Sequence, residues 1–183
     1  MLRDITTLLI DTVVVFFVFL LLLRFHFQWL RAGFRNPVGE FIIAATNWVV
    51  RPARRVIPGL AGLDLATLVA AWLLQAAALW IITAVAGSEL GAAAIAALAF
   101  VQLLRYSIYI LMFAVFIQVV LSWVNPHTPV APVLDAVTGP FLRPLRRLVP
   151  PVGRVDLSPF VLFLLLGVLL FPLEELARAS AHL

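Results

Sequence analysis

Cysteine and lysine are both absent from this chain of 183 residues. Without cysteine there is no disulfide framework, no thiolate nucleophile and no cysteine metal site. Without lysine there is no side-chain amine for Schiff-base chemistry. Charged residues of all kinds are scarce, at 12% against about 25% in soluble domains. Apolar residues fill the chain instead, at 64% with a mean hydropathy of +1.11, so several runs are long enough to cross a bilayer.

The thirteen basic residues are all arginines, and the formal net charge is +4. A basic balance can indicate nucleic-acid binding. Here, however, ten of the thirteen arginines lie in two segments beside apolar runs. That distribution is typical of the cytoplasmic loops of membrane proteins, so we expect no nucleic-acid partner.

Four apolar runs predict transmembrane helices. They cover residues 5–23, 65–86, 103–124 and 157–173, with residues 92–102 as a helical or interfacial approach to the third. A secretory signal is the alternative for the first run. Because Arg3 is balanced by Asp4 and no small-residue cleavage site follows, we expect a retained helix.

A shorter amphipathic segment at residues 37–50 separates the first two spans. Its pattern predicts a helix lying in the membrane interface, with a tryptophan at headgroup level. A buried re-entrant turn is the alternative. The face expected to meet the membrane consists of Phe41, Ile42, Ala45, Trp48 and Val49.

Arginine counts predict the orientation of the spans. Segments 24–63 and 125–156 hold six and four arginines, whereas the termini and the second connection together hold two, and Arg105 lies at the start of the third span. The positive-inside rule makes the two arginine-rich segments cytoplasmic and leaves both termini outside. We therefore expect a multi-pass protein of the bacterial cytoplasmic (inner) membrane.

An eighteen-residue phrase occurs twice, 92 positions apart. Residues 51–68 read RPARRVIPGLAGLDLATL, residues 143–160 read RPLRRLVPPVGRVDLSPF, and seven positions are identical. Self-similarity at a fixed period indicates a repeated structural unit. The sequence thus predicts an all-α membrane fold of two tandem repeats, residues 1–91 and 92–183. Each would be a transmembrane helix, an interfacial helix and a second transmembrane helix, and both would keep the same orientation.

Each copy of the phrase carries the same kinds of polar residue in the same order. Its arginines can bind anionic lipid phosphates, at about 1 kcal/mol per charge, or they can bind a partner protein. The third alternative is that they only fix the orientation of the chain in the membrane. Its first two prolines are expected to end helices, whereas in the second copy Ser158 adds a capping group and Pro159 suits the first turn of the following span. Its aspartate is expected to cap the following span, or alternatively to pair with an arginine. The candidate lipid- or partner-binding residues are Arg51, Pro52, Arg54, Arg55, Pro58 and Asp64, then Arg143, Pro144, Arg146, Arg147, Pro150, Asp156, Ser158 and Pro159.

Four charged or amide side chains fall inside the spans, namely Asp11, Gln75, Arg105 and Gln118. A carboxylate at mid-bilayer costs on the order of 2.5–3.5 kcal/mol on insertion scales. We expect Asp11 to offset this cost through an ion pair with Arg105 across the repeats. The alternative has Arg105 snorkelling outward and Asp11 protonated or hydrogen-bonded. Gln75 can bond a neighbouring helix or its own.

The chain resembles the YggT family of small integral membrane proteins over nearly its whole length. The resemblance rests on NPVGEFIIAATNWVVRPARRVIPGLAGLDLATLV in the first half, and on LSWVNP and LDAVTGPFLRPLRRLVPPVGRVDLSPFVL in the second. The first half lacks the Ser-Trp pair found at Ser122 and Trp123. The resemblance implies a non-enzymatic membrane factor linked to cell division, envelope organisation or assembly of membrane complexes. For part of the family it implies osmotic tolerance and ion uptake.

Enzyme chemistry is not expected. The three histidines, His26, His127 and His182, are dispersed, and neither His-Glu-x-x-His nor Gly-x-Ser-x-Gly occurs. No ligand spacing suggests a metal, and we expect no cofactor. We expect a scaffold or assembly factor that meets anionic phospholipids, a membrane or cytoplasmic protein, or a second copy of the chain. The alternative is a subunit of an oligomeric ion or solute channel or transporter, with Gln102 and the four polar residues above lining a shared path.

Overall fold

The computed structural model describes residues 2–59, 62–88, 90–125, 128–151 and 156–180. Six helices follow one another in this part of the chain. They are α1 Leu2–Trp29, α2 Pro37–Val56, α3 Leu65–Ala86, α4 Ala92–Val124, α5 Ala131–Leu148 and α6 Ser158–Ser180. Helices α1, α3, α4 and α6 are long and apolar enough to cross a membrane, so the all-helical class and the four spans agree with the sequence prediction.

The helices pack as two groups of three with one seam between them. Helix α1 runs along α3 with α2 against both, and α4 runs along α6 with α5 against both. The seam is formed mainly by α3 and α4, where the indole Nε1 of Trp72 donates to the carbonyl oxygen of Ala96 at 3.0 Å. Small side chains such as Ala71 and Ala78 are buried on α3, which allows close approach of helices in lipid.

Three of the spanning helices are longer than the sequence predicted, and one of them, α6, continues past residue 173 to Ser180. Helix α1 continues past residue 23 to Trp29 and includes Arg24, whose guanidinium is hydrogen-bonded to α2. Helix α4 is one continuous helix of 33 residues, about 50 Å long at 1.5 Å per residue. Of the two alternatives for residues 92–102, the helical one is observed, because this alanine-rich stretch contains neither glycine nor proline.

Two prolines lie inside helices that they were expected to end. Helix α2 passes through Pro52 and α5 through Pro144, and α6 likewise continues through Pro172. Pro52 and Pro144 are exposed and lie about one turn before the ends of their helices, so each removes one backbone hydrogen bond without ending the helix. The ends instead come at Val56 and Leu148, two residues before Pro58 and Pro150, as predicted for that second pair of prolines.

A cap and a tight backbone contact fix the start of α2. The side chain of Asn36 accepts a hydrogen bond from the backbone N–H of Gly39 at 2.9 Å, and Pro37 occupies the first helical turn. A Cβ atom on Gly39 would lie 2.6 Å from the carbonyl oxygen of Phe34. The connection from α1 can therefore fold back closely onto α2 only because residue 39 has no side chain.

The apolar residues of α2 divide between two faces, so the expectation of a single membrane-facing stripe is wrong. Ile42, Thr46 and Val50 are buried, at the spacing of one helical face. Phe41 and Trp48 remain exposed on another face. The Trp48 ring lies edge-on to Phe17 of α1, with 6.0 Å between ring centroids.

Candidate functional site

An arginine near the end of each amphipathic helix is paired with the aspartate just before the next span. Arg54 Nη2 lies 2.5 Å from Asp64 Oδ2, and Arg146 Nε lies 2.8 Å from Asp156 Oδ2. Both pairs join residues ten positions apart. We call them the first and the second ion pair. They tie α2 to the start of α3 and α5 to the start of α6.

The two aspartates also accept hydrogen bonds from the helices that follow them. Asp64 accepts from the backbone N–H of Thr67 at 3.4 Å, and Asp156 accepts from the backbone N–H of Ser158 at 2.9 Å. Capping and arginine pairing were alternatives in the sequence. The structure has both, because a carboxylate can accept several hydrogen bonds at once.

The first ion pair is buried on its acidic side. The Asp64 side chain is 3% exposed and also accepts from the Thr67 hydroxyl, while Arg54 donates to Gln28 Oε1 of α1 at 3.0 Å. Burial alone would raise the pKa of Asp64. The hydrogen bonds from Arg54 and Thr67, with the charge of Arg54, outweigh burial and hold the pKa below its usual value.

The second ion pair is open to its surroundings. The side chains of Arg146 and Asp156 are 50% and 39% exposed. Burial again acts to raise the pKa of Asp156, but hydrogen bonding from Ser158, followed by the hydrogen bond and charge of Arg146, lowers it overall. The same pairing is thus made in a more screened setting, where a pair contributes less stability.

Two arginines of each cluster have no partner among the residues that the structure describes. They are Arg51 and Arg55 in α2, and Arg143 and Arg147 in α5. All four are exposed. We call them the free arginines. Each cluster therefore combines one arginine that holds its helix in place with two whose guanidinium groups can meet an external anion.

A buried threonine links α2 to the helix before it. Arg24 of α1 donates from Nη1 to Thr46 Oγ1 at 2.8 Å and to Asn47 Oδ1 at 3.0 Å. Thr46 in turn donates to the carbonyl oxygen of Ile42 at 2.6 Å. Arg24 is 6% exposed, so its charge is held inside the helix packing by these two oxygen acceptors.

The corresponding threonine of α5 has a different partner. Thr138, 92 positions after Thr46, has its hydroxyl 2.5 Å from Gln118 Oε1 and 2.8 Å from the carbonyl oxygen of Leu134. Gln118 Nε2 donates to Asp135 Oδ1 at 2.5 Å. Beside this network lies a pocket of about 190 Å³, lined by Gln118, Asp135, Gly139, Leu142, Arg143 and Arg146.

The sequence reading did not single out Arg24, Thr46, Asn47, Asp135 or Thr138. The two threonines could have been found from the sequence, because the similarity at 92 positions also includes residues that precede the eighteen-residue phrase. The segments beginning at residues 37 and 129 both start with Pro-Val, and both carry a threonine nine positions later. The partners of these threonines lie on other helices or differ between the copies, so the repeat alone does not reveal them.

The predicted ion pair between Asp11 and Arg105 is wrong. Both residues are described, and the structure has no ion pair between them. Asp11 is exposed, Arg105 is half-buried, and Arg105 Nε has no hydrogen-bond partner among the described residues. The prediction assumed that α1 and α4 pack at the repeat offset of 92, but Phe19 packs on Tyr106, only 87 positions later.

The other polar residues of the spans do not converge on a cavity. Gln75 is 2% exposed, and its Oε1 has no hydrogen-bond partner among the described residues, whereas Gln118 belongs to the Thr138 network. The larger cavity, about 420 Å³, lies between α1, α4, α5 and α6 and has an almost wholly apolar lining. None of the polar candidates predicted for a shared path lines it. The described residues also contain no cluster of three potential metal ligands.

Comparison with known proteins gives a consistent result over both halves. The model of the CCB3/YggT family matches residues 4–85 and again residues 97–176. An uncharacterised protein of Pseudomonas aeruginosa is 37% identical over 163 residues, covering 84% of this chain and 80% of the relative. The uncharacterised protein YggT of Escherichia coli (strain K12) is 34% identical over 179 residues, covering 97% and 93%. No solved structure matches the chain.

Proposed function

Because the chain belongs to the CCB3/YggT family, we propose that it is a non-enzymatic membrane protein that organises or assembles membrane or envelope components through the basic surfaces of α2 and α5. The observation that carries this proposal is the arrangement of the arginine clusters. In each half one arginine is used to anchor the helix, and two exposed arginines are left free. A surface of this kind can be recognised by an anionic partner without any reacting group.

The proposal includes a tandem arrangement, with α1–α3 and α4–α6 as equivalent units in the same orientation. Three observations support it. Each amphipathic helix packs on both spanning helices of its own half, each half has the same ion pair, and Ile42 and Thr46 are buried like Leu134 and Thr138. Two spans per unit would bring α2 and α5 to the same side of the membrane.

That side is the cytoplasmic one in our proposal, with both termini outside, because the arginine clusters obey the positive-inside rule only in this orientation. The free arginines then face the anionic phospholipids of the inner leaflet. Each such contact is worth about 1 kcal/mol, which holds α2 and α5 against the headgroups. A membrane or cytoplasmic protein, or a second copy of the chain, can bind to the same surfaces.

Cysteine labelling tests the orientation directly, since the natural chain has no cysteine. Arg55→Cys and Arg147→Cys place thiols at two free arginines and leave both ion pairs intact. Ser88→Cys, in the exposed connection between α3 and α4, is the matched control. A membrane-impermeant maleimide should label position 88 in intact cells and positions 55 and 147 only after permeabilisation. Labelling of 55 or 147 in intact cells would overturn the proposed orientation.

Site-specific photocrosslinking tests the organising role. A photoreactive amino acid at position 55 or 147 should capture the same protein in living cells, and one at position 88 should not capture it. The two reporting sites are 92 positions apart, so a shared product argues for one partner surface. Recovery of lipid alone from both sites would reduce the role of the clusters to membrane anchoring.

A further inference from the structure

The polar pocket beside Thr138 has groups of both charge signs around one opening. Asp135 and Arg143 both line it, together with Gln118 and Gly139. Its volume of about 190 Å³ is several times the ~30 Å³ that one water molecule occupies in the liquid. It can therefore hold a small polar group, while a whole lipid or a protein segment is too large for it.

Arg146 also lines the pocket but is paired with Asp156, whereas the other two charged side chains keep unused binding capacity. Among the described residues, Asp135 receives one hydrogen bond, from Gln118 to its Oδ1, and forms no ion pair. Arg143 is one of the free arginines. Its guanidinium lies against Gly139, whose missing side chain leaves the pocket open. A ligand that completes this site needs a cationic hydrogen-bond donor for Asp135 and an anion for Arg143.

The first half carries residues of a different kind at the corresponding positions. There Asn47 stands where α5 has Gly139, and Ile43 stands where α5 has Asp135. The oxygen atoms of Thr46 and Asn47 receive the guanidinium of Arg24. In the first half an internal cation is therefore bound beside the buried threonine, whereas in the second half Thr138 is bonded to the neutral Gln118 and the charge of Asp135 has no ionic partner among the described residues.

We propose that this pocket binds the headgroup of a zwitterionic phospholipid of the phosphoethanolamine type. The primary ammonium group donates to Asp135, and the adjoining phosphate accepts from Arg143. A choline headgroup is bulkier and has no N–H to donate, and a glycerol headgroup has no cation for the carboxylate. The pocket thus gives α5 a lipid preference that α2 lacks.

This inference rests on the placement of α5 at the membrane surface that the proposed function assumes. Its test is independent of any protein partner. Full-length protein is reconstituted in vesicles containing equal amounts of phosphatidylethanolamine and phosphatidylcholine with a fixed fraction of phosphatidylglycerol. The protein is then extracted gently, and the phospholipids that remain bound are quantified by mass spectrometry.

The natural chain should retain phosphatidylethanolamine about fivefold above phosphatidylcholine, the factor that corresponds to one surface charge contact. Asp135→Asn keeps an oxygen for Gln118 but removes the charge, and it should abolish the preference. Gly139→Asn, whose Cβ has its nearest neighbours in the Arg143 side chain at 3.6–3.8 Å, should fill the pocket and have the same effect. Arg143→Gln should lower retention of both lipids.

Glu40→Gln is the matched control, because it removes an exposed carboxylate from the first turn of α2, away from the pocket. It should leave the preference unchanged, and the helix content of every variant is checked by circular dichroism. Equal retention of the two lipids by the natural chain would overturn the inference, as would an unchanged preference in folded Asp135→Asn. Either result would leave the labelling and crosslinking tests, and the proposed function with them, unaffected.

Discussion

Asp64 and Asp156 occupy the same position in the repeated phrase and pair with an arginine at the same spacing, but their surroundings differ. The Asp64 side chain is 3% exposed and the Asp156 side chain is 39% exposed. Thr67 and Gln28 complete the first ion pair, whereas Ser158 supplies a backbone N–H to the second. A repeated phrase can thus reproduce a pairing, while the neighbouring helices decide how much stability that pairing contributes.

The largest difference between the halves should come from the start of the amphipathic helices. Gly39→Ala forces a Cβ to within 2.6–2.9 Å of the Phe34 backbone, and overpacking of this kind costs about 3 kcal/mol. The second half already has an alanine at the position 92 residues later, Ala131. In detergent, the midpoint temperature of thermal unfolding should be clearly lower for Gly39→Ala than for the natural chain. Gly33→Ala is the control, because a Cβ there meets nothing within 4 Å, and it should leave the midpoint nearly unchanged. Equal shifts for the two variants would contradict this account.

Removing the two aspartates should give a smaller but unequal effect. Asp64→Ala deletes a helix cap and the buried side of an ion pair, and we expect a loss of about 2 kcal/mol. Asp156→Ala breaks an exposed pair and should cost about 1 kcal/mol or less. Parallel unfolding curves in the same detergent compare the two. A larger loss for Asp156→Ala would show that exposure is not what separates the pairs.

Lowering the pH should also show that Asp64 contributes more to stability than Asp156, because protonation of each aspartate is coupled to unfolding. Both aspartates have a pKa lowered below the ordinary value of 3.8 in the folded chain, so the folded state binds fewer protons than the unfolded state in the window below that value. Their contribution is complete above about pH 4 and is lost as the pH falls through the folded-state pKa. Unfolding midpoints measured between pH 7 and pH 3 should fall at the acid end. The decrease of the midpoint at acid pH should be smaller in Asp64→Asn than in the natural chain. Asp156→Asn should reduce this decrease by a smaller amount.

The smallest effects on folding are expected at the free arginines. Arg55→Gln and Arg147→Gln leave both ion pairs intact and should change the free energy of unfolding by less than about 0.5 kcal/mol. Each should nevertheless lower the retention of anionic phospholipid by the reconstituted protein, by about fivefold per charge. Mass spectrometry of the phospholipids that stay bound after gentle extraction from mixed vesicles measures this. A large loss of stability in either variant would mean that the free arginines support the fold.

Local rules were sufficient for the existence of the helices and for part of the two ion pairs. Apolar run length identified the four spans, and the repeated phrase contained Arg54, Asp64, Arg146 and Asp156, without showing which arginine pairs with each aspartate. The same rules placed a helix end wrongly at Pro52, because a proline removes one backbone hydrogen bond and need not end a helix. They also predicted the wrong partner for Asp11 on α4, because the residues of α1 and α4 that pack together need not be 92 positions apart.

The sequence by itself determined an all-helical chain with four apolar spans, two arginine-bearing amphipathic helices and matching acidic caps. These features follow from composition, periodicity and spacing along the chain. Tertiary structure alone decided that Arg24 is held by Thr46 and Asn47, and that Gly139 leaves a pocket open beside Asp135. Such contacts depend on which helix faces meet and at what register, and residues 20 or more positions apart carry no local signal of that geometry.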